Sequence, residues 1–225
     1  MKNDTNFGTK LILSVMGCFC AFESAPVARA ATPPVGLWEQ PCRGGVSRTE
    51  NITSAASEGA GDAVGPSRAV LTEVFHREAD CQNAQLSLIS EGALAWPELP
   101  TGSATPEGAS AIDFRFEKVS AVFLSQGGAD AASASAFCGI TGWEKDRAVE
   151  ITGLSCAFVP GQKPWSVPRA GDARYGIYRV LPEGSSQSTG RVILQWGKMT
   201  RERTGLTPSL RPSEWDPQVY SLKNE

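Results

Sequence analysis

The stretch IDFRFEKVSAVF, residues 112–123, decides the fold class. Its first half alternates isoleucine or phenylalanine with charged residues, which is the period-two pattern of a strand with one buried face. The alternation breaks at Lys118 and resumes with Val119, so we expect one long strand that carries a bulge or bend. The segment predicts antiparallel β-structure, in which one sheet face packs on a core and the other meets solvent.

Shorter segments with the same period flank this strand, and long segments with helical spacing are scarce. We expect further strands over residues 36–42, 47–54, 69–76, 85–90, 92–96, 148–152, 175–181 and 190–196, with loops over 97–108, 160–171 and 182–189. One short helix is expected in the alanine- and serine-rich residues 129–137. Eight or nine antiparallel strands suggest one all-β sandwich or barrel, and closure into a barrel removes exposed edges.

Composition excludes several classes of function. The chain of 225 residues is 41% hydrophobic and 20% charged, as expected for a globular protein. Its net charge of −3 argues against nucleic-acid binding, which normally needs a basic surface. His76 is the only histidine, and the sequence contains no G-x-S-x-G nucleophile elbow. We therefore expect no catalytic residue, no metal site and no cofactor, and we do not expect an enzyme.

The first thirty residues have the pattern of a secretory signal peptide. Lysines precede an apolar run over residues 11–22, and the A-x-A sequence at 28–30 predicts cleavage before Ala31. The run is too short to span a bilayer, so no transmembrane segment is expected. A rival interpretation is a lipoprotein signal, because VMGC at 15–18 resembles a lipobox ending at Cys18. We favour free export to the periplasm or beyond, with residues 31–225 forming one domain.

Cysteine number agrees with export. Cleavage at residue 30 leaves four cysteines, which in an exported chain indicate disulfides. Three pairings are possible, and we prefer the one between sequence neighbours, Cys42–Cys81 and Cys138–Cys156. A zinc site is disfavoured because the chain has no C-x-x-C pair and a single histidine.

Several motifs carry a resemblance to known barrels. Gly36-Leu37-Trp38 resembles the G-x-W motif that opens lipocalins. HREADC at 76–81 resembles the Y-x-D-x-x-C signature of small exported lipocalin-like bacterial proteins, and it is similar to the extracellular domain of the adenomatosis-polyposis-coli down-regulated protein. His76 and Glu78 replace the tyrosine and aspartate of that signature. FCG at 137–139 and the segment 194–220, with Arg211-Pro212, are also similar to the bacterial proteins.

The resemblance spans residues 36–220 and implies an eight-stranded lipocalin-like up-and-down barrel with at most one short helix. It implies no activity, because fold alone does not define function. It also implies that Trp38 closes one barrel end beneath a stacked arginine, for which Arg211 and Arg191 are candidates.

Two functional hypotheses remain open. The first is a binding module that holds a small apolar or lipid-like molecule, with Trp165 and Trp215 at the rim of its mouth. The second is a structural or protein-interaction component of the bacterial envelope, with the barrel filled by its own side chains. No protein partner can be named from the sequence. Large inward side chains in every layer would fill the barrel, whereas small ones would leave a cavity.

Overall fold

The computed structural model describes residues 34–54, 67–157, 163–182 and 192–223. The expected signal peptide, Cys18, Arg191 and the 183–189 part of the expected hairpin loop lie outside these ranges. The strands are β1 Gly36–Arg43, β2 Val46–Thr53, β3 Ser67–His76, β4 Ala84–Ala95, β5 Ser110–Phe123, β6 Ala148–Glu150, β7 Ser155–Cys156, β8 Trp165–Ser166, β9 Ala173–Pro182, β10 Val192–Gly197 and β11 Trp215–Leu222.

Eight of these strands close into an antiparallel barrel. They pair in the order β1, β2, β3, β4, β5, β9, β10 and β11, so every barrel strand lies beside its neighbour in the chain order. β11 then pairs with β1, where Trp38 faces Leu222 and Glu39 faces Ser221. The expected all-β up-and-down barrel is confirmed. The short strand β6 adds to β5, and β7 and β8 form a separate pair.

The expected bulge lies in β5. Glu91 of β4 faces Lys118 and Gly92 faces Phe116, so Glu117 is the extra residue. A Cβ atom at position 92 would collide with the carbonyl oxygen of Arg115. Glycine therefore allows the two strands to approach where the long strand bends.

Several strands differ from the sequence expectation. The expected strand 148–152 is limited to Ala148–Glu150 in β6, β7 was not expected, and β8 lies within the expected loop 160–171. Segments 85–90 and 92–96 form one continuous strand, β4, because residue 91 keeps its place in the ladder. β11 was not expected, since Pro217 lies within it and proline cannot donate a ladder hydrogen bond. The β10–β11 register shifts between Gln195 and Gly197, and this irregularity accommodates the proline.

The helix α1, Gln126–Ala134, begins and ends three residues before the expected bounds. Ser125 caps it by accepting a hydrogen bond from the backbone N–H of Gly128. Ala129 and Ala132, three residues apart on one face, are buried. Two short 3₁₀ helices, Phe137–Gly139 and Pro208–Leu210, complete the elements. Within the described ranges, no helix is both long and apolar enough to cross a membrane.

Two clusters of buried side chains form the core. The end-layer cluster takes at least one residue from each of the eight barrel strands, and therefore fills one end of the barrel. Its buried members are Trp38, Ile52, Ala69, Leu94, Ile112, Phe114, Tyr178, Leu194 and Tyr220. The helix cluster joins α1 and the residues that follow it to β4 and β5. Its largest buried members are Leu86, Phe123, Phe137, Trp143 and Ile151.

Both expected disulfides are present. Cys138–Cys156 lies within the helix cluster, where the two residues are 7% and 0% exposed. Cys42–Cys81 joins the end of β1 to the loop after β3. The pairing between sequence neighbours is confirmed.

Candidate functional site

The barrel encloses a cavity of about 600 Å³ beyond the end-layer cluster. Its wall combines apolar and charged side chains rather than forming the apolar interior that the lipocalin resemblance suggests. The apolar part of the wall includes Leu71, Leu88, Phe114, Phe116, Val119 and Trp196. The polar part includes Gln40, Arg48, Glu50, Glu73, Arg174, Asp216, Gln218 and Tyr220.

Strand register places the polar side chains together. Arg48 of β2 faces Gln40 of β1 on one side and Glu73 of β3 on the other. Glu50 follows Arg48 by two residues and therefore lies on the same sheet face. Gln218 of β11 completes the group, because the amide of Gln40 donates a hydrogen bond to its side-chain oxygen. We call these five residues the interior polar belt.

Arg48 is the central donor of the belt. Its Nε donates to Glu73 Oε1 at 2.7 Å, and its Nη1 lies 3.4 Å from side-chain oxygens of both Gln40 and Gln218. Burial alone would lower the pKa of Arg48, but the hydrogen bond and charge of Glu73 leave that pKa raised. The Arg48 and Glu73 side chains remain 35% and 40% exposed, so solvent reaches this part of the cavity.

Glu50 is the most deeply buried carboxyl of the belt. The residue is 8% exposed, and its Oε2 has no hydrogen-bond partner among the described residues. Burial, with a smaller contribution from the charge of Glu73, raises the pKa of Glu50 to about 8, although hydrogen bonding by Trp196 and the charge of Arg48 act to lower it. The Trp196 indole Nε1 is buried and completes no hydrogen bond of good geometry among the described residues. Glu50 is therefore largely protonated at neutral pH, because Arg48 offsets its burial only in part.

The pKa of the Tyr220 phenol responds to the charged groups around Glu50. Burial raises the pKa of the Tyr220 phenol far above its usual range, and the charges of Glu50, Glu73 and Asp216 add to this rise. Arg48 alone opposes it. The carboxyl groups that act on the Tyr220 phenol therefore outnumber the one guanidinium that acts on it.

The structure separates the two tryptophans predicted at the binding mouth. Trp165 of β8 lines the cavity, as do Ser166 and Met199. Trp215 at the start of β11 does not line it. The guanidinium of Arg179 lies over the Trp215 ring, 4.4 Å from its centroid.

Trp38 and Arg211 occupy different places. Trp38 is 2% exposed in the end-layer cluster, and its indole N–H donates to the Pro34 carbonyl at 2.8 Å. Arg211 is 6% exposed, and its guanidinium lies over Tyr175, 5.4 Å from the ring centroid. The stacking partner of Arg211 is thus Tyr175, in place of the Trp38 that the resemblance implies.

Arg211 joins the segment before β11 to the barrel wall. Its Nη1 donates to the carbonyl oxygens of Ile112 and Gly176 at 3.0 and 2.8 Å, and its Nη2 lies 2.5 Å from Asp113 Oδ1. Ile112 and Gly176 face each other across the β5–β9 pair. The arginine therefore clamps these two strands, a role that sequence patterning did not reveal.

A second hollow of about 550 Å³ lies at the Trp38 end. Its wall is mainly apolar and includes Pro34, Val35, Tyr178, Val180, Val192 and Leu222. Val35 and Val180 are 47% and 40% exposed, so this hollow is an open surface groove. None of the belt residues lines it.

His76 ends β3, near the Cys42–Cys81 disulfide. Its Nε2 lies 3.1 Å from Ser47 Oγ, and its Nδ1 has no hydrogen-bond partner among the described residues. A serine triad requires an acid at that second nitrogen. Across the described ranges, no group of three or more His, Cys, Asp or Glu side chains is placed to hold a metal ion.

Comparison with protein-family models and with curated proteins gives no match for this chain. The closed eight-stranded antiparallel barrel, with one α-helix in the described part of the chain, is consistent with a lipocalin-like fold.

Proposed function

We propose that this protein is a binding module that holds a small amphipathic molecule inside its barrel. The supporting observation is the cavity of about 600 Å³, whose wall is apolar on one part and hydrogen-bonding on another. Small-molecule sites are typically concave, mostly apolar and supplied with a few polar groups that fix orientation. Burial of an aliphatic chain contributes about 0.8 kcal/mol for each CH₂ group, which suffices for micromolar binding.

The structural alternative is favoured by the end-layer cluster, which fills one end of the barrel. A barrel filled along its whole length would exclude ligands. The cavity beyond this layer favours the binding role. Binding without chemistry agrees with His76, whose Nδ1 has no hydrogen-bond partner among the described residues.

Two disulfides are compatible with export, which we propose together with cleavage before Ala31. N-terminal sequencing of exported protein tests that site, and a lipid-modified Cys18 would contradict it.

A dye-displacement experiment tests the binding role. Nile red, an uncharged hydrophobic dye, should bind the folded chain, and octan-1-ol should displace it. Ser90→Phe places a large ring on the cavity wall and should weaken dye binding at least tenfold. Asn51→Phe adds the same ring on the exposed face of β2 and is the matched control. Unchanged dye affinity in the folded Ser90→Phe variant, or no dye binding at all, would favour the structural alternative.

A further inference from the structure

The Glu50 carboxyl has no basic partner of its own on the cavity wall. Glu50, Glu73 and Asp216 act on the Tyr220 phenol, and Arg48 is the one guanidinium that opposes them. Arg48 already binds Glu73 at 2.7 Å. Glu50, which is largely protonated at neutral pH, and Asp216 therefore have no basic partner within this group.

The remaining basic group on the wall does not pair with Glu50. Arg174 of β9 lines the cavity, and its Nε is buried without a hydrogen-bond partner among the described residues, but Arg174 is not among the charges that act on Glu50 or Tyr220. Glu50 lines the cavity and is more than nine-tenths buried, and its Oε2 has no hydrogen-bond partner among the described residues. A buried carboxyl without a counter-charge is costly to ionise and gains most from an added cation.

We propose that the cavity selects an organic cation, an ammonium group carried on an apolar body, and holds that cation at the Glu50 carboxylate. This inference rests on the proposed binding function and names the class of ligand. The ammonium supplies a positive charge to the Glu50 carboxylate, and its N–H groups donate to that carboxylate. The apolar body lies against Leu71, Leu88 and Phe116 on the same wall.

Aromatic side chains on the wall support the same class of ligand. Trp196 and Tyr220 line the cavity with Glu50, and aromatic ring faces attract cations when water is excluded. The Trp196 indole N–H already favours the ionised form of Glu50. When a bound cation favours the ionised form of Glu50, this N–H has a charged acceptor to donate to. A ligand carboxylate would instead meet the negative charges of Glu73 and Asp216.

Binding of a cation is coupled to proton release. The carboxyl proton of Glu50, whose free-state pKa is about 8, leaves to solvent when the ammonium takes its place. The groups that act on the Glu50 carboxyl are Arg48 on its own strand, Glu73 on β3 and Trp196 on β10, and Glu50 in turn acts on Tyr220 of β11. Because Arg48 and Glu73 pair with each other, Glu50 is the group whose protonation changes.

A matched series of probes tests the inference. Octylamine, octan-1-ol and octanoate have the same chain length and different head-group charge, and each is titrated against the Nile red complex at pH 7. Octylamine should displace the dye at a concentration at least tenfold below that of octan-1-ol, with octanoate weakest. Calorimetry in phosphate and in Tris should detect close to one proton released per octylamine bound.

Variants separate this inference from the binding function. Glu50→Gln should remove the preference for octylamine and its proton release, while octan-1-ol still displaces the dye. Glu150→Gln, which neutralises an exposed carboxyl on β6, should keep both. Equal displacement by octylamine and octan-1-ol would overturn the cation inference and leave the binding function intact. Failure of every probe and of the dye would overturn both.

Discussion

The carboxyl of Glu50 and the indole N–H of Trp196 meet on the wall of the same cavity, where hydrogen bonding by Trp196 acts to lower the pKa of the carboxyl. Within the described residues, Glu50 Oε2 and Trp196 Nε1 are buried and complete no hydrogen bond of good geometry, and the same holds for Arg174 Nε on this wall. Most buried polar groups in proteins are paired. Three such atoms at one cavity are therefore the clearest mark of a site built for something other than stability.

Glu50 should make the ligand-free protein less stable as pH rises. Its folded pKa of about 8 exceeds its ordinary value of 4.5, so the folded state holds a proton that the unfolded state releases. This contribution is complete below pH 4.5, declines between the two values and is lost above pH 8. Urea unfolding from pH 4 to 9 measures the slope.

The glutamine side chain of the Glu50→Gln variant cannot ionise. The free energy of unfolding of this variant should therefore not show the decline with pH that Glu50 causes. At pH 9 the variant should be more stable than the wild type, by about 1.36 kcal/mol for each unit by which the pKa was raised. Glu150→Gln is the control, because its carboxyl is exposed. Parallel stability curves for wild type and Glu50→Gln would contradict the burial of an uncompensated carboxyl.

The two disulfides should differ in their resistance to reduction. Cys138 and Cys156 are buried in the helix cluster, whereas Cys42 lies in an exposed position. A mild thiol reductant under native conditions should open Cys42–Cys81 first, because a disulfide is reduced only where a thiolate can reach it. Mass spectrometry after alkylation identifies the freed pair, and alkylated Cys138 at the earliest time would contradict this order.

Loss of either bridge should also lower stability. Loop-closure entropy alone gives about 4 kcal/mol for the 39-residue separation and about 3 kcal/mol for the 18-residue separation. Double Cys→Ala variants of each pair, compared by urea unfolding, measure these losses. The Cys138–Cys156 pair should lose more than its entropic share, because its removal also leaves a gap in the core.

Arg211 should be important for stability. Arg211→Ala removes the donor from two carbonyl oxygens and leaves Asp113, which is 24% exposed, without its partner. Breaking a buried pair in this way costs about 3–5 kcal/mol. Arg68→Ala breaks the exposed pair with Glu117 and should cost about 1 kcal/mol or less. Similar small losses for both variants in urea unfolding would contradict the clamp.

Trp165 and Trp215 should have unequal effects on ligand binding. Trp165→Ala removes part of the cavity wall and should weaken Nile red binding several-fold. Trp215→Ala removes a ring that packs under Arg179, away from the cavity, and should leave dye affinity unchanged. A loss of dye affinity in Trp215→Ala but not in Trp165→Ala would show that the dye does not bind in the cavity lined by Trp165.

Sequence patterning predicted an antiparallel sandwich or barrel because most strands have one apolar and one polar face, and the resemblance to lipocalins implied the eight-stranded barrel. Residues 112–123 are the clearest case, down to the bulge at Glu117. β11 was missed because Pro217 interrupts its pattern. The helix was placed three residues late because an alanine- and serine-rich segment has no sharp apolar stripe to fix its start.

The site was harder to predict than the fold. β2 reads VSRTENIT, polar on both faces, so alternation cannot tell which face turns inward. Pairing with Gln40 and Glu73 decides that Arg48 and Glu50 point into the barrel, and such pairing is a tertiary property. Trp165 was predicted at the binding mouth because it follows a proline in an expected loop. Nothing in the sequence distinguished Trp196 from any other inward residue of a strand, so its place on the cavity wall was not predicted.

A ligand inside the barrel should lie beside Trp196. Titration of ¹⁵N-labelled protein with octylamine, followed through the six tryptophan indole N–H signals, measures this contact. The Trp196 signal, identified with a Trp196→Phe variant, should shift strongly. The signals of Trp38 and Trp143, whose indoles donate to backbone carbonyls, should change little. A saturating titration that leaves the Trp196 signal in place would show that the ligand does not bind in this cavity.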